Sequence, residues 1–295
     1  MLDFKTPVKE DLAYLRGVCE SFGTMGCDFN ASNIFIWRNR YNIKICFYDN
    51  FLILAYFKDN APWGYCFPLG NGDPSGALAE IFRDAKQRGI KPEFVMLTDA
   101  QKQRLVEITG FEYSFEELTG DEDYIYTNYD LCMLPGKKYH AKRNHISKFD
   151  RTYPKWKFAL LSDSNFSDAL LVARKWCENN DINPFENEEY KAISETLENY
   201  SLLKMHGGVL YVDEQPVAMT LGSRINLTTF DICFEKALTE YDGVYAKINN
   251  EFAKTLIGFE FINREEDMGI ESLRKAKLSY HPAAILKRYR GSVNA

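Results

Sequence analysis

The sequence lacks a long hydrophobic run. Its longest strongly apolar stretch, Phe51 to Phe57 (FLILAYF), is seven residues, against the roughly 20 that a membrane-spanning helix needs, so no bilayer crossing is expected. The opening MLDFKTPVKEDLAYLRG has no apolar core of the kind a secretory signal carries and bears acids from Asp3 onward, which makes the cytoplasm the expected location. Histidine is scarce, four in 295 residues, and the close pair His140 and His145 is five apart, off any common helical face. Seven scattered cysteines include no CxxC; they read as reduced, mostly buried thiols, and no metal site is expected. What is abundant is core material: 45% hydrophobic residues with 26% charged exclude disorder and allow one large or two average domains.

Net charge is −6, but the cations are concentrated. Lys137 to Lys157 holds eight Lys or Arg against Asp150 alone, and Ser272 to the end holds six with no acid. These two stretches carry +13, which leaves −19 on the rest. Such asymmetry marks either a polyanion-binding surface on an acidic body or a solvated helix face with a basic tail.

Helical spacing after Thr6-Pro7 predicts a helix from about Pro7 to Ser21, followed by a short one around Ala31 to Arg38. Ile43 to Tyr48 and Phe51 to Phe57, split by Asp49-Asn50, read as an antiparallel hairpin, and a third strand is expected near Tyr65 to Phe67. Strand, helix and strand signals then follow to Tyr129. After a basic helix at about Lys138 to Tyr153 the order repeats: helices near 166–177 and 188–200, a hairpin through 208–224, a strand at 228–235, a helix at 244–257 and a strand at 260–262. The expected fold is therefore α/β, with a mixed sheet and helices on both faces, used twice in the order of GNAT-type acyltransferases. The expected divisions are residues 1–133, a basic connecting helix 134–156, and residues 157–295.

An acetyl-CoA enzyme of this fold needs a Gln/Arg-x-x-Gly-x-Gly/Ala turn whose backbone N–H groups cradle a pyrophosphate. The second half offers Glu240-Tyr-Asp-Gly243-Val-Tyr245, with acids and a bulky ring where basic and small residues belong. In the first half, Asp73 follows Gly70-Asn71-Gly72 and occupies the free N–H groups of the next helix. Lys142 and Arg143 stand on the expected apolar stripe of the connecting helix, either paired with acids or facing an anionic ligand. Alternation puts Asp231, Cys233 and Glu235 on one strand face, with Lys236, Arg274 and Lys277 as partners. Asn263, Arg264, Glu265, Glu266 and Asp267 lie at a strand mouth, and Arg274 and Lys277, three apart, can address one group.

GKKYHAKRNHISKF, FDICFEKAL, YDGVYAKINNEFA and INREEDMGIESLRKAKLSYHP together resemble the C-terminal domain of phosphatidylglycerol lysyltransferase over essentially the whole chain. The resemblance implies a tandem GNAT fold and transfer of an aminoacyl group from charged tRNA. Asp231 stands at that family's substrate-pocket acid and Lys277 at the lysine of its Leu-Arg-x-x-Lys segment, whereas the family's arginine three residues after the acid is here Phe234.

Charge chemistry suggests roles for these groups. Lys277 with Arg274 would stabilise an oxyanion or the donor's terminal phosphate, since a lysine of ordinary pKa, roughly 10.4, is a cation near neutrality. Asp231 or Glu235 would hold an amino group and Asp267 would accept a proton. Lys142, Arg143 and Lys148 would contact the acceptor arm of tRNA, and Lys236, Tyr245, Asn249 and Asn263 complete the expected substrate contacts. No tightly bound cofactor is expected. The co-substrate is aminoacyl-tRNA or else an acyl-CoA, the acceptor is a small or lipid-like molecule, and no specific DNA contact is expected. Two other readings stay open: an acyl-CoA-dependent N-acyltransferase of a small amine, and a non-catalytic binding module.

Overall fold

A computed structural model describes residues 1–294. Its first half runs α1 (Leu12–Phe22), α2 (Ala31–Trp37), β1 (Ile43–Tyr48), β2 (Phe51–Lys58), β3 (Ala61–Tyr65), β4 (Leu69–Gly70), α3 (Ser75–Arg88), β5 (Glu93–Leu97), α4 (Asp99–Thr109), β6 (Tyr113–Glu117) and β7 (Asp123–Thr127). The chain continues through α5 (Asn128–Met133), α6 (His140–Thr152), β8 (Trp156–Leu160), α7 (Phe166–Asn179), α8 (Glu188–Glu198), β9 (His206–Val212), β10 (Gln215–Arg224) and β11 (Thr229–Ala237). It ends with α9 (Val244–Ala253), β12 (Phe261–Asn263), α10 (Glu271–Leu278), β13 (Ala284–Leu286) and β14 (Tyr289–Val293).

Two compact units result. Among the described residues, the first comprises 1–124, 266–274 and 285–294, the second 125–265 and 275–284. This differs from the expected divisions at 133 and 156, because the strands do not stay with their halves of the sequence. The last strand, β14, lies between β5 and β6 in the first sheet, ordered β1-β2-β3-β5-β14-β6 with β4 beside β2. In the second sheet β7 lies between β13 and β12, followed by β11-β10-β9-β8. The basic tail thus supplies a central strand, which its short Tyr-Arg-Gly-Ser-Val span does not announce.

Residues alternate in β2 as a strand buried on both faces requires. Phe51, Ile53, Ala55 and Phe57 pack with Leu78, Ile81, Ala85 and Leu105, while Leu52 and Leu54 pack with Leu15, Val18 and Ile34. The β1/β2 hairpin has Tyr48 opposite Phe51, with Asp49 at φ +47° in the turn. A second hairpin, not expected, follows at Asp59-Asn60, both at positive φ, and moves the third strand earlier to Ala61–Tyr65. The first helix also starts later than Pro7. The Lys5 N–H and C=O pair with Ile45 and Asp11 accepts from the Val8 N–H at 2.9 Å, so the chain stays extended through Val8.

In the second unit, Phe149 of α6 packs with Leu210, Val217, Ala237, Val244 and Ile248. The connecting helix is therefore core to that unit. In β11 the pairing with β10 steps from Phe234 opposite Leu221 to Ile232 opposite Gly222, so Cys233 is an extra residue. Such a bulge re-aims the side chains beyond it.

Candidate functional site

The bulge separates the acids that simple alternation placed together. Before it, Asp231 is fully buried and its carboxylate accepts from the Cys233 thiol at 3.8 Å. Beyond it, Glu235 accepts from Arg264 Nη2 at 2.8 Å and from Asn249 Nδ2 of α9 at 3.5 Å. The partner of Glu235 is thus Arg264, not Lys236, Arg274 or Lys277 as expected. Lys236 pairs with Glu189 at 2.7 Å and lies 3.7 Å from the Trp176 ring centroid; Trp176 in turn donates to the Tyr245 hydroxyl at 3.2 Å.

Around the Glu235–Arg264 pair the second unit assembles a cluster whose polar atoms are not all used. Arg264 lies 4.9 Å from the Tyr280 ring centroid, and Lys142 lies 3.8 Å from the same centroid. Burial opposes the charge on Arg264, but Glu235 and the neighbouring tyrosines outweigh it and hold the guanidinium above its ordinary range. Among the described residues, Arg264 Nη1 has no hydrogen-bond acceptor and Asn249 Oδ1 has no donor, although both atoms are shut from solvent. Among the described residues Lys142 has no carboxylate partner, and burial, with the charge of Arg264, brings its pKa down to about 8. Two cations, one carboxylate and one amide, two of whose buried polar atoms lack partners, make this the cluster best able to take a ligand.

The remaining expected residues are placed as follows. Lys277 is buried, and its Nζ donates to the backbone carbonyls of Arg264 and, at 3.1 Å, Glu265. Asn263 Oδ1 accepts from the Glu265 N–H at 2.6 Å. Both therefore fix the backbone that carries Arg264. Arg274, in contrast, grips Asp267 through two nitrogens at 2.7 and 3.1 Å, and falls with Asp267 in the first unit. Arg274 and Lys277, expected to address one group, thus hold Asp267 and the Arg264 and Glu265 carbonyls respectively. Asp267 also accepts from Tyr124 at 2.6 Å and from the Gly269 N–H at 2.8 Å. The hydrogen bond from Arg274 outweighs burial and pulls its pKa down to about 2, so it is a poor proton acceptor. Arg143 donates to the carbonyls of Leu134 and Gly136, and Lys148 pairs with Asp242 on the surface.

The turn after β11 is packed rather than open. Gly243 has φ +86°, and a Cβ there would lie 2.6 Å from the His145 carbonyl oxygen in α6. The Cα side of Gly243 therefore packs directly on α6. Two sets of metal-type atoms also converge, Cys27 with Asp123 and Glu266, and Asp231 with Cys233 and Glu265. In the first set, Asp123 is already paired with Arg288. In the second, the Cys233 thiol donates to the Asp231 carboxylate at 3.8 Å, and burial and then Asp231 push that thiol's pKa up.

Of the cluster's members, Glu235, Asn249 and Lys142 were legible as candidates. Arg264 was placed at the strand mouth without a role and Tyr280 was missed. The available signal was that Arg264 directly follows Asn263, the last residue of β12, which pairs in parallel with Asp231.

The family model described as phosphatidylglycerol lysyltransferase, C-terminal, matches residues 20–291. A conserved protein of unknown function from Bacteroides thetaiotaomicron is 35% identical, with a TM-score of 0.94 over 100% of both chains. The structure of L-PGS from Bacillus licheniformis is 16% identical with a TM-score of 0.71, covering 98% of this chain and 93% of that one. An uncharacterized protein of Mycoplasmoides gallisepticum is 24% identical over 213 residues, 68% of each chain. The mixed α/β architecture, with two mixed sheets, is the one expected from the order of elements, and the crystal structure of FemX shares it with a TM-score of 0.60 at 8% identity over 99% of this chain and 98% of that one. With its sequence matched almost end to end, the chain belongs to the family of phosphatidylglycerol lysyltransferase C-terminal domains.

Proposed function

We propose that the protein is a transferase that moves an aminoacyl group from charged tRNA to a hydroxyl or amine acceptor at the cluster of Glu235, Arg264 and Lys142. The observation that carries this reading is the pair of buried, unpartnered atoms flanking Glu235, the Nη1 donor of Arg264 and the Oδ1 acceptor of Asn249. An aminoacyl ester offers complements to both: an ammonium for Glu235 and Asn249 Oδ1, and a carbonyl oxygen for Arg264 Nη1.

The acceptor's oxygen or nitrogen attacks the ester carbon, negative charge develops on the carbonyl oxygen, and Arg264 Nη1 stabilises it. Neutral Lys142 takes the acceptor's proton and passes it to the ribose oxygen as the ester C–O bond breaks. A pKa of about 8 suits such a group, because a base works best when its pKa lies near the working pH. Lys277 acts as a positioning residue by holding the carbonyls of Arg264 and Glu265. Glu240, Asp242 and Tyr245, which stand where a CoA-binding turn has basic and small residues, favour an ester donor over CoA.

The test is binding of aminoacylated total tRNA across a salt series, with acetyl-CoA for comparison. Salt-sensitive binding that prefers charged over uncharged tRNA is the expected result. Saturable acetyl-CoA binding without tRNA binding would overturn the donor assignment.

A further inference from the structure

Lys142 differs from Lys138, Lys148 and Lys157 of its basic stretch in what faces it. Lys148 is held by Asp242, Lys138 by Asp130 and Lys157 by Glu214. The groups facing Lys142 are the Tyr280 ring and the Arg264 guanidinium, which disfavours a second positive charge. Glu235, the carboxylate paired with Arg264, is engaged by Arg264 and Asn249. Arg264 lies over the same tyrosine ring with an N–H donor unfilled. Among the described residues, an amine with no counter-ion therefore shares the Tyr280 ring with a guanidinium that keeps a buried, unfilled donor for an acyl or phosphoryl oxygen, the two groups an amine nucleophile needs.

We propose that Lys142 is an acylation site, modified by activated acyl donors of the ester or acyl-phosphate class when no acceptor fills the cluster. In that reaction the Nζ lone pair forms a C–N bond to the acyl carbon while the donor's C–O bond breaks. The oxygen leaves with the electron pair, as phosphate from an acyl phosphate or as the ribose hydroxyl from charged tRNA, and the proton lost by nitrogen goes to it or to water. The product amide is uncharged and no longer a base, so acylation switches off proton transfer at this cluster. That regulatory consequence rests on the transferase reading; the modification itself does not.

The test incubates the full-length protein with acetyl phosphate between pH 7 and 10 and follows each lysine by peptide mass spectrometry. Lys142 acetylation at least ~10-fold faster than that of Lys148 at pH 8 is expected, because its neutral fraction is far larger there. The advantage should shrink toward pH 10 as the other lysines deprotonate. Arg264→Gln should slow Lys142 selectively, and if that variant does not fold, the wild-type rate ratio still decides. Equal or slower reaction of Lys142 overturns the proposal. A second arm uses charged tRNA without added acceptor, read as aminoacyl mass on Lys142. Acetylation from acetyl phosphate with no aminoacyl mass leaves the modification site standing and counts against the tRNA donor. Transfer from tRNA to an external acceptor, with no modification of Lys142 by either donor when the acceptor is left out, does the reverse.

Discussion

Each unit buries an arginine against carboxylates, and the two arginines differ in what is left over. In the first unit, Arg288 gives Nε to Asp28 at 2.7 Å, Nη2 to Asp123 and Nη1 to the carbonyls of Leu286 and Lys287 at 3.4 Å. Every nitrogen has an acceptor, and two carboxylates outweigh one cation. In the second unit, Arg264 has one carboxylate, Glu235, and one nitrogen without an acceptor, with Lys142 adding a further cation. A fully satisfied buried arginine holds a fold together, because removing it strands its partners in a low dielectric. An arginine with an unfilled donor carries an uncompensated desolvation cost that a ligand oxygen can relieve.

The sharpest way to break this contrast is Arg288→Ala, which leaves Asp28 and Asp123 buried without their cation. A loss of about 3–5 kcal/mol in unfolding free energy is expected by denaturant titration. A loss of under about 1 kcal/mol would mean that the Arg288 cluster is not structural. Lys142→Ala should do the opposite, lowering aminoacyl transfer by ~100-fold or more while denaturant midpoints barely move.

Next in size is a pH effect. Since Lys142 must be neutral to accept a proton, transfer should rise with pH and level off above about 8. A flat profile from pH 6 to 9 would remove Lys142 as the base. The depressed folded-state pKa also means that the unfolded chain binds more protons between this value and the ordinary lysine range, so Lys142 makes stability rise with pH across that window.

The Asp267–Arg274 pair gives a smaller effect at the other end of the scale. Its contribution is fully present above the ordinary carboxylate pKa and is lost as pH falls through about 2. Arg274→Ala should therefore lower stability by its full amount between pH 5 and 9 and by progressively less as pH falls toward 2, measured by denaturant titration at each pH. Smallest of all, Lys148→Ala removes an exposed pair with Asp242 and should change stability by less than about 1 kcal/mol.

Much of the fold was legible because local chemistry dictated it. Asp49-Asn50 between two apolar β-branched and aromatic runs is a hairpin in any context, and Thr98 with Gln101 caps α4 from both sides. The exchange of β7 and β14 was not legible, since pairing β14 with β5 and β6 joins residues some 170–200 positions apart. The site divided along the same line. Residue types pointed to Glu235, Asn249 and Lys142, but the bulge at Cys233 decides where Glu235 points. In the run Asn-Arg-Glu-Glu-Asp, nothing in one dimension separates Arg264, turned toward Glu235, from Asp267, held by Arg274 in the other unit.

The most direct test of the central claim is a single-turnover assay with total tRNA charged with radiolabelled amino acids and a mixture of small amine and hydroxyl acceptors, run with wild type and Lys142→Ala. The account predicts that label leaves tRNA for an acid-stable product with wild type and does so at least ~100-fold more slowly with the variant. Label lost at the spontaneous hydrolysis rate with both proteins would contradict it.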